Sequence, residues 1–417
     1  MKDLTTKILN TDFPRKDPYG SIHFPVYDNV AFEFESSEEL ARTFAGKTDK
    51  HVYSRISNPT VSHLENRIKN LTGSLNVTAT SSGMAAIANT ILALVENGDN
   101  IVCSKYIFGN TYSLLNKTIK KFGVETRFVD PCDVDEISEK TDDKTRIIFM
   151  ETITNPQMVV CDVEKISEIA GNSGAVFVMD TTATPPPIFE ASAHGVDIEI
   201  ISSTKYISGG ATSVGGLIID YGTFDWSQNS SLENDYRKYG PYTFTASLKY
   251  EVHRNIGACL SPHSAYLQNL GLETLQLRIE RSCSSAAKIA ESLVGIKRVN
   301  KVNYPGLYED NRKELTDRYF SGNPGSLITF ELESRGACFE FMDNLNLIKK
   351  STNIHDNRTL IIHPASTIFT EYHDNERKEL GVSDNMIRLS VGIENPQDLL
   401  EDIKNALDKQ EVSTNVK

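Results

Sequence analysis

The sequence has no CxxC pair and no HExxH spacing. Its six cysteines (Cys103, Cys132, Cys161, Cys259, Cys283, Cys338) and nine histidines are scattered, which argues against a zinc site or a disulfide framework and fits reduced, buried thiols. Long apolar runs are also missing. The stretch Ala85 to Val95 is broken by Asn89 and Thr90 and falls short of a membrane span, and Met1-Lys2-Asp3-Leu4 lacks a signal-peptide core. These absences lead us to expect a cytoplasmic protein with no membrane partner. Positive charge is scarce: 43 Lys and Arg against 56 Asp and Glu give a formal charge of −13, which disfavours nucleic acid. No internal repeat or low-complexity tract stands out.

What the chain does have is length. Its 417 residues, 39% of them apolar, suffice for two or three domains with real cores. Residues 1–58, with Pro14, Pro18 and Pro25 and a single short helical pattern from Ser36 to Phe44, read as an extended arm. Residues 59–256 alternate short β-rich runs with amphipathic helices. Val77 to Thr80 precedes Met84 to Asn97, Ile101 to Cys103 precedes Thr111 to Phe122, and Ile147 to Met150 precedes Val163 to Ala170. Ala175 to Asp180, Ile198 to Ile201 and Gly215 to Asp220 add strands. Such alternation predicts an α/β domain with a largely parallel sheet. Residues 257–417 open with a long helical stretch near Leu260, where Pro262 sits early enough to be tolerated. Strands at Leu327 to Leu332, Leu360 to His363 and Ile387 to Val391 then predict a smaller α+β domain, with a tail that frays after Asp408.

The chemistry concentrates at Ser202-Ser203-Thr204-Lys205-Tyr206-Ile207-Ser208, 25 residues beyond Asp180. In a pyridoxal-phosphate enzyme a lysine amine condenses with the cofactor aldehyde, a carboxylate keeps the pyridine nitrogen protonated and hydroxyls grip the phosphate. Lys205 and Asp180 each follow an apolar strand, so both project into the crevice at the strand ends, where open α/β sheets bind ligands. Ser82-Gly83-Met84 joins a strand to a helix and suits a phosphate, although such a Ser-Gly cap is commonplace. Ser202 and Thr204 alternate toward the same phosphate, or they cap the next turn. Asn155, in Glu151-Thr152-Ile153-Thr154-Asn155-Pro156, is a donor to cofactor or substrate, or an ordinary turn residue. Phe108 is an apolar plate for the ring, or a core residue. Arg388, in an otherwise apolar strand, captures a substrate carboxylate through its planar fork or else forms an internal salt bridge.

Together these residues resemble the Cys/Met-metabolism family of pyridoxal-phosphate enzymes, the gamma class of fold type I, over nearly the whole chain. Tyr53-Ser54-Arg55-Ile56-Ser57-Asn58-Pro59-Thr60 is similar to the family's arm motif, Ser82-Gly83-Met84 to its phosphate turn and Glu151 to Pro156 to its ETxxNP segment. Ser202 to Ser208 resembles its lysine motif, and Arg388 to Glu394 its substrate-carboxylate strand. The resemblance implies a seven-stranded, mostly parallel sheet and bound pyridoxal 5'-phosphate. It gives Tyr53 and Arg55 to the neighbouring subunit's cofactor, Tyr53 as a catalytic residue alongside Lys205 and Asp180, and Ser351 as a second substrate contact. It further implies a homo-oligomer with shared sites, a dimer of dimers.

The activity implied is γ-replacement on an O-acylhomoserine, O-acetyl-L-homoserine above all, with sulfide or a thiol, giving homocysteine or methionine. Methionine γ-lyase chemistry is the near alternative, and a catalytically impaired cofactor-binding protein the distant one. Two departures bear on this choice. Phe108 stands where many members carry a tyrosine, and Thr181-Thr182-Ala183-Thr184-Pro185 replaces the usual DNTFATP continuation.

Overall fold

Short runs of apolar and β-branched residues, most of them buried on both faces, build the first sheet of the computed structural model, which describes residues 3–11, 17–228 and 233–414. Its strands are β1 (Asn76–Thr80), β2 (Asn100–Ser104), β3 (Glu125–Val129), β4 (Thr145–Glu151), β5 (Val176–Asp180), β6 (Ile198–Ile201) and β7 (Gly216–Asp220). They lie in the order β1-β7-β6-β5-β4-β2-β3. All pairings are parallel except those of β7, which runs antiparallel to both β1 and β6. Alternation along the strands splits the core into two layers. Val102, Ile148, Met179 and Leu217 pack on one face, and Ile101, Phe149, Val178 and Ile218 on the other.

Before this sheet the arm carries α1 (Leu4–Leu9) and α2 (Ser37–Phe44), the latter capped by Ser36 as its sequence suggests. The helix α3 (Pro59–Thr72) begins with Asn58 as cap and proline at its first position, and α4 (Gly83–Leu94) begins at the Ser82 cap. The stretch 109–122 is less regular than expected. It starts as an α-helix, widens into a π turn over Leu114–Thr118, tightens to a 3-10 turn and stops at Gly123, whose φ is +80°. The long helical stretch after Leu260 is two helices, Pro262–Glu273 and Leu275–Val294, separated at Thr274.

The second sheet, in the order β10-β11-β12-β9-β8, comprises β8 (Lys301–Asn303), β9 (Leu327–Glu331), β10 (Lys349–Lys350), β11 (Leu360–Ile362) and β12 (Met386–Ser390). Its core joins Ile328, Phe330 and Leu389 to the helices Arg335–Asn344 and Pro396–Thr414. The last of these continues beyond Asp408, where fraying was expected. Leu399, Leu400, Ile403, Ala406 and Leu407 form a buried stripe of helical period that anchors the part of this helix before Asp408. No helix among the described residues is long and apolar enough to cross a membrane.

Candidate active site

β4 and β5 run side by side and stop together, with Glu151 opposite Asp180. β6 stops at Ile201 and the chain turns at once, so Lys205 leaves the same edge of the sheet. The turn is closed by Gly209 (φ +81°), packed against Gly271 of the helix Pro262–Glu273. A Cβ on Gly209 would lie 2.8 Å from the Gly271 Cα, and a Cβ on Gly271 would lie 2.7 Å from the Gly209 nitrogen, so only glycine fits either place.

The two elements expected to grip a phosphate meet here. A Cβ on Gly83 would sit 2.7 Å from the Cβ of Ser202, so the first turn of α4 and the lysine segment are in contact through the missing side chain. The Ser82 hydroxyl accepts the N–H of Ala85 at 3.1 Å, while the first N–H groups of the helix, at Gly83 and Met84, have no intrahelical acceptor. Thr204 is placed differently from the expectation of alternating hydroxyls. Its Oγ1 donates to the carbonyl of Gly215 (3.1 Å) and accepts the Gly215 N–H (3.0 Å), because the extended backbone ends at Ile201 and the turn redirects the side chain. Ser202 receives support instead, its N–H donating to Thr182 Oγ1 at 2.8 Å.

Asp180 is half-buried and accepts the N–H of Thr182 at 2.9 Å. Loss of water pushes its carboxyl above the usual range, against the hydroxyl and N–H of Thr182. Phe108 is half-buried, and its backbone N–H donates to Glu151 at 2.8 Å.

Arg388 is buried, 2% exposed, and pairs with no carboxylate among the described residues. One guanidinium nitrogen donates to Asn155 Oδ1 (3.1 Å), another to the carbonyls of Thr352 (3.0 Å) and Asn353 (3.4 Å), and Nε has no partner. Burial alone lowers this guanidinium to about 9. The internal salt bridge is thereby excluded, and an unneutralised cation stands ready for an anionic ligand.

Lys205 donates to Asn353 Oδ1 at 2.6 Å. Burial first and the charge of Arg388 second bring its amine down to about 8, with Asp356 opposing. Asn353 was not singled out by sequence, where Ser351 was. Ser351 is exposed and its N–H is spent on the Ile361 carbonyl, while Asn353, two residues on, faces the lysine and keeps a buried Nδ2 without a partner. His355 supports this turn from behind. Its ring stacks on Tyr206 at 4.1 Å, and its Nδ1 meets Ser326 Oγ at 3.1 Å.

Tyr53 and Arg55 lie apart, exposed on the arm. The Arg55 guanidinium sits 5.4 Å over the Tyr53 ring and bonds the carbonyl of Arg254, with no hydrogen bond to Ser82, Gly83 or Lys205 of its own chain.

Residues 5–408 match the family described as Cys/Met metabolism PLP-dependent enzyme. The chain belongs to that family. It is 34% identical to the O-acetyl-L-homoserine sulfhydrylase of Leptospira meyeri, covering 92% of this chain and 91% of the other. It is 33% identical to the L-methionine gamma-lyase of Fusobacterium nucleatum subsp. polymorphum, over 94% and 95%. Among solved structures, the O-acetylhomoserine sulfhydrylase of Wolinella succinogenes is 49% identical, covering 85% of this chain and 99% of that one at a TM-score of 0.77. A chain from Campylobacter jejuni described as O-acetylhomoserine (thiol)-lyase superposes over 98% of this chain and all of its own length at a TM-score of 0.93 and 32% identity. It carries N'-pyridoxyl-lysine-5'-monophosphate at its own position 205.

This family member is a pyridoxal-phosphate-dependent sulfhydrylase or sulfur amino-acid lyase of fold type I. The residues present fit the cofactor: an amine lowered toward neutrality, a half-buried carboxyl, an aromatic plate and a helix N-terminus that Gly83 lets Ser202 approach lie at one end of one sheet.

Proposed function

We propose that this chain catalyses γ-replacement on O-acetyl-L-homoserine, with sulfide or a thiol as acceptor, to give homocysteine or methionine. The observation that carries the reading is Arg388, a buried guanidinium without a carboxylate partner, beside a lysine whose amine is held near neutrality. A planar fork of this kind recognises the α-carboxylate of an amino acid. Asn155 holds the fork in place through Oδ1.

Lys205 anchors the cofactor and is the base that takes the proton from the substrate Cα. When bound, pyridoxal phosphate supplies an electron-accepting ring that stabilises the charge left behind. With the cofactor bound, Asp180 would keep the pyridine nitrogen protonated, Phe108 would supply an apolar plate for the ring, and Ser82, Gly83, Met84, Ser202 and Thr204 would hold the phosphate. Having passed on that first proton, the Lys205 amine takes a second from Cβ as acetate leaves Cγ; once the sulfur nucleophile has added at Cγ, protons are returned to Cβ and Cα. Asn353, bonded to Lys205 and adjoining Arg388, takes the second substrate contact that Ser351 was expected to make.

Tyr53 and Arg55 complete the cofactor site of a second copy, with Tyr53 assisting proton transfer there. Their exposure supports this, as does the exposure of other apolar arm residues, Tyr19 at 95%, Ile22 at 90% and Phe44 at 67%. The working unit is then a two-fold dimer, assembled as a dimer of dimers.

The test is to incubate the holoenzyme with O-acetyl-L-homoserine, with and without sulfide, and separately with L-methionine, and to identify products by mass spectrometry. Homocysteine formed only with sulfide is the expected result. An oxo acid and ammonia from methionine, with no sulfide-dependent product, would assign the chain to the lyases instead.

A further inference from the structure

Glu151 is the last residue of β4, 7% exposed, and among the described residues it faces no basic side chain. The charged group bearing on it is Asp180 from β5, and Glu151 in turn faces the buried thiol of Cys103 from β2. Register places Glu151 beside Asp180, and alternation puts both on the face that carries Phe149 and Val178. Its Oε1 accepts the N–H of Phe108 at 2.8 Å, and the N–H of Asn155 favours its charged form more weakly. One carboxyl therefore borders the ring-stacking residue, the residue that orients Arg388 and the residue that meets the pyridine nitrogen.

We propose that Glu151 is a positioning residue, an uncharged carboxyl that fixes the Phe108 and Asn155 segments and leaves Asp180 as the sole anion beside the cofactor ring. The inference rests on the roles given above to Asp180 and Phe108. Two buried carboxylates side by side do not both ionise, and the charge settles on the better-solvated member. That member is Asp180, half-buried and bonded by the N–H and hydroxyl of Thr182. Glu151 is buried more deeply, and burial followed by the Asp180 charge pushes its carboxyl well above the usual range. A second negative charge here would strengthen the hold on the pyridine proton, whereas a neutral carboxyl still accepts backbone N–H groups through its carbonyl oxygen and adds no charge.

The experiment compares Glu151→Gln, Glu151→Asp and Glu151→Ala holoenzymes. Cofactor dissociation constants and the pH midpoint of the bound cofactor's visible absorbance are measured without substrate. Glutamine keeps the acceptor oxygen and has no charge. E151Q should therefore hold the wild-type midpoint and bind cofactor at least about tenfold more tightly than E151A. E151D keeps an ionisable group but retracts it from Phe108, so it should bind more weakly than E151Q. A midpoint displaced in E151Q by about one unit or more, or E151D binding more tightly than E151Q, would overturn the proposal. Should E151A not fold, the E151Q and E151D comparison decides alone. Turnover of wild-type enzyme on O-acetyl-L-homoserine tests the functional reading separately, because the absorbance midpoint needs no substrate.

Discussion

Lys205 Nζ and Asn353 Oδ1 are joined by a 2.6 Å hydrogen bond across 148 residues of chain, tying the lysine proposed to carry the cofactor to the segment that also holds Arg388. Burial and the nearby guanidinium bring the amine to about 8. An amine attacks an aldehyde only as the free base, so cofactor uptake by cofactor-free protein should quicken with rising pH and level off above about 8. Stopped-flow absorbance across pH 6 to about 10 checks this, since a free lysine, with an unperturbed value of about 10.4, would still be accelerating at the upper end.

Asn353→Ala should leave the cofactor bound and raise KM for the acylhomoserine by about tenfold or more, the worth of one hydrogen bond to a charged group. Steady-state kinetics at saturating cofactor measures it. An unchanged KM would return the second substrate contact to Ser351.

Arg388 should show opposed effects on stability and activity. A buried cation without a counter-charge is costly to fold, so Arg388→Met is expected to raise stability by about 1–4 kcal/mol while abolishing turnover. Thermal unfolding of cofactor-loaded protein and an activity assay read the two effects. Arg388→Lys keeps the charge without the fork and should lose about 100-fold in kcat/KM.

Sharing of the arm predicts complementation. Inactive Lys205→Ala chains mixed with inactive Arg55→Ala chains should regain activity, because one hybrid site draws its lysine from the Arg55→Ala chain and its arginine from the Lys205→Ala chain. Verified hybrids with no recovered activity would place Arg55 in its own subunit.

Glu199 predicts a pH dependence of stability. It is fully buried on β6, bonded by the Thr181 hydroxyl and by Tyr221 Oη (2.6 Å), and burial pushes its carboxyl up to about 7. The folded protein then holds a proton that the unfolded chain has already lost. The stabilisation is complete below about pH 4.5 and is lost as pH rises to about 7. Glu199→Gln cannot ionise, so its stability relative to wild type should increase by about 3 kcal/mol from pH 4 to pH 8. Denaturant melts at both pH values measure the difference, and a gap independent of pH would refute it.

The parts legible in the sequence were those set by local pattern. Ile147 to Met150, Ala175 to Met179 and Ile198 to Ile201, nearly all apolar, are buried on both faces and formed central strands, which placed Asp180 and Lys205 at one end of the sheet. β3 was not legible because it pairs only with β2 at the sheet edge and begins with Glu125, Thr126 and Arg127; β8 and β10 are too short to carry a pattern. At the site, contacts between distant segments escaped. Asn353 reaches Lys205 only through the tertiary fold, and Glu151 was no more than the first residue of the Glu151 to Pro156 segment until its strand was set beside β5. The bonds between Thr204 and Gly215 were not legible because strand alternation stops at the last extended residue, Ile201.

Gly209 and Gly271 impose a mechanical tolerance on this enzyme. The lysine turn rests on the helix Pro262–Glu273 backbone against backbone, with no side chain between them whose rotamer could absorb an error. A single added methyl at either glycine must therefore be taken up by moving the turn itself, and the displacement travels four residues to Lys205 with little loss. The reach of the amine is set by the thickness of two main chains, and adaptive changes that retune the substrate have to be made elsewhere in the crevice.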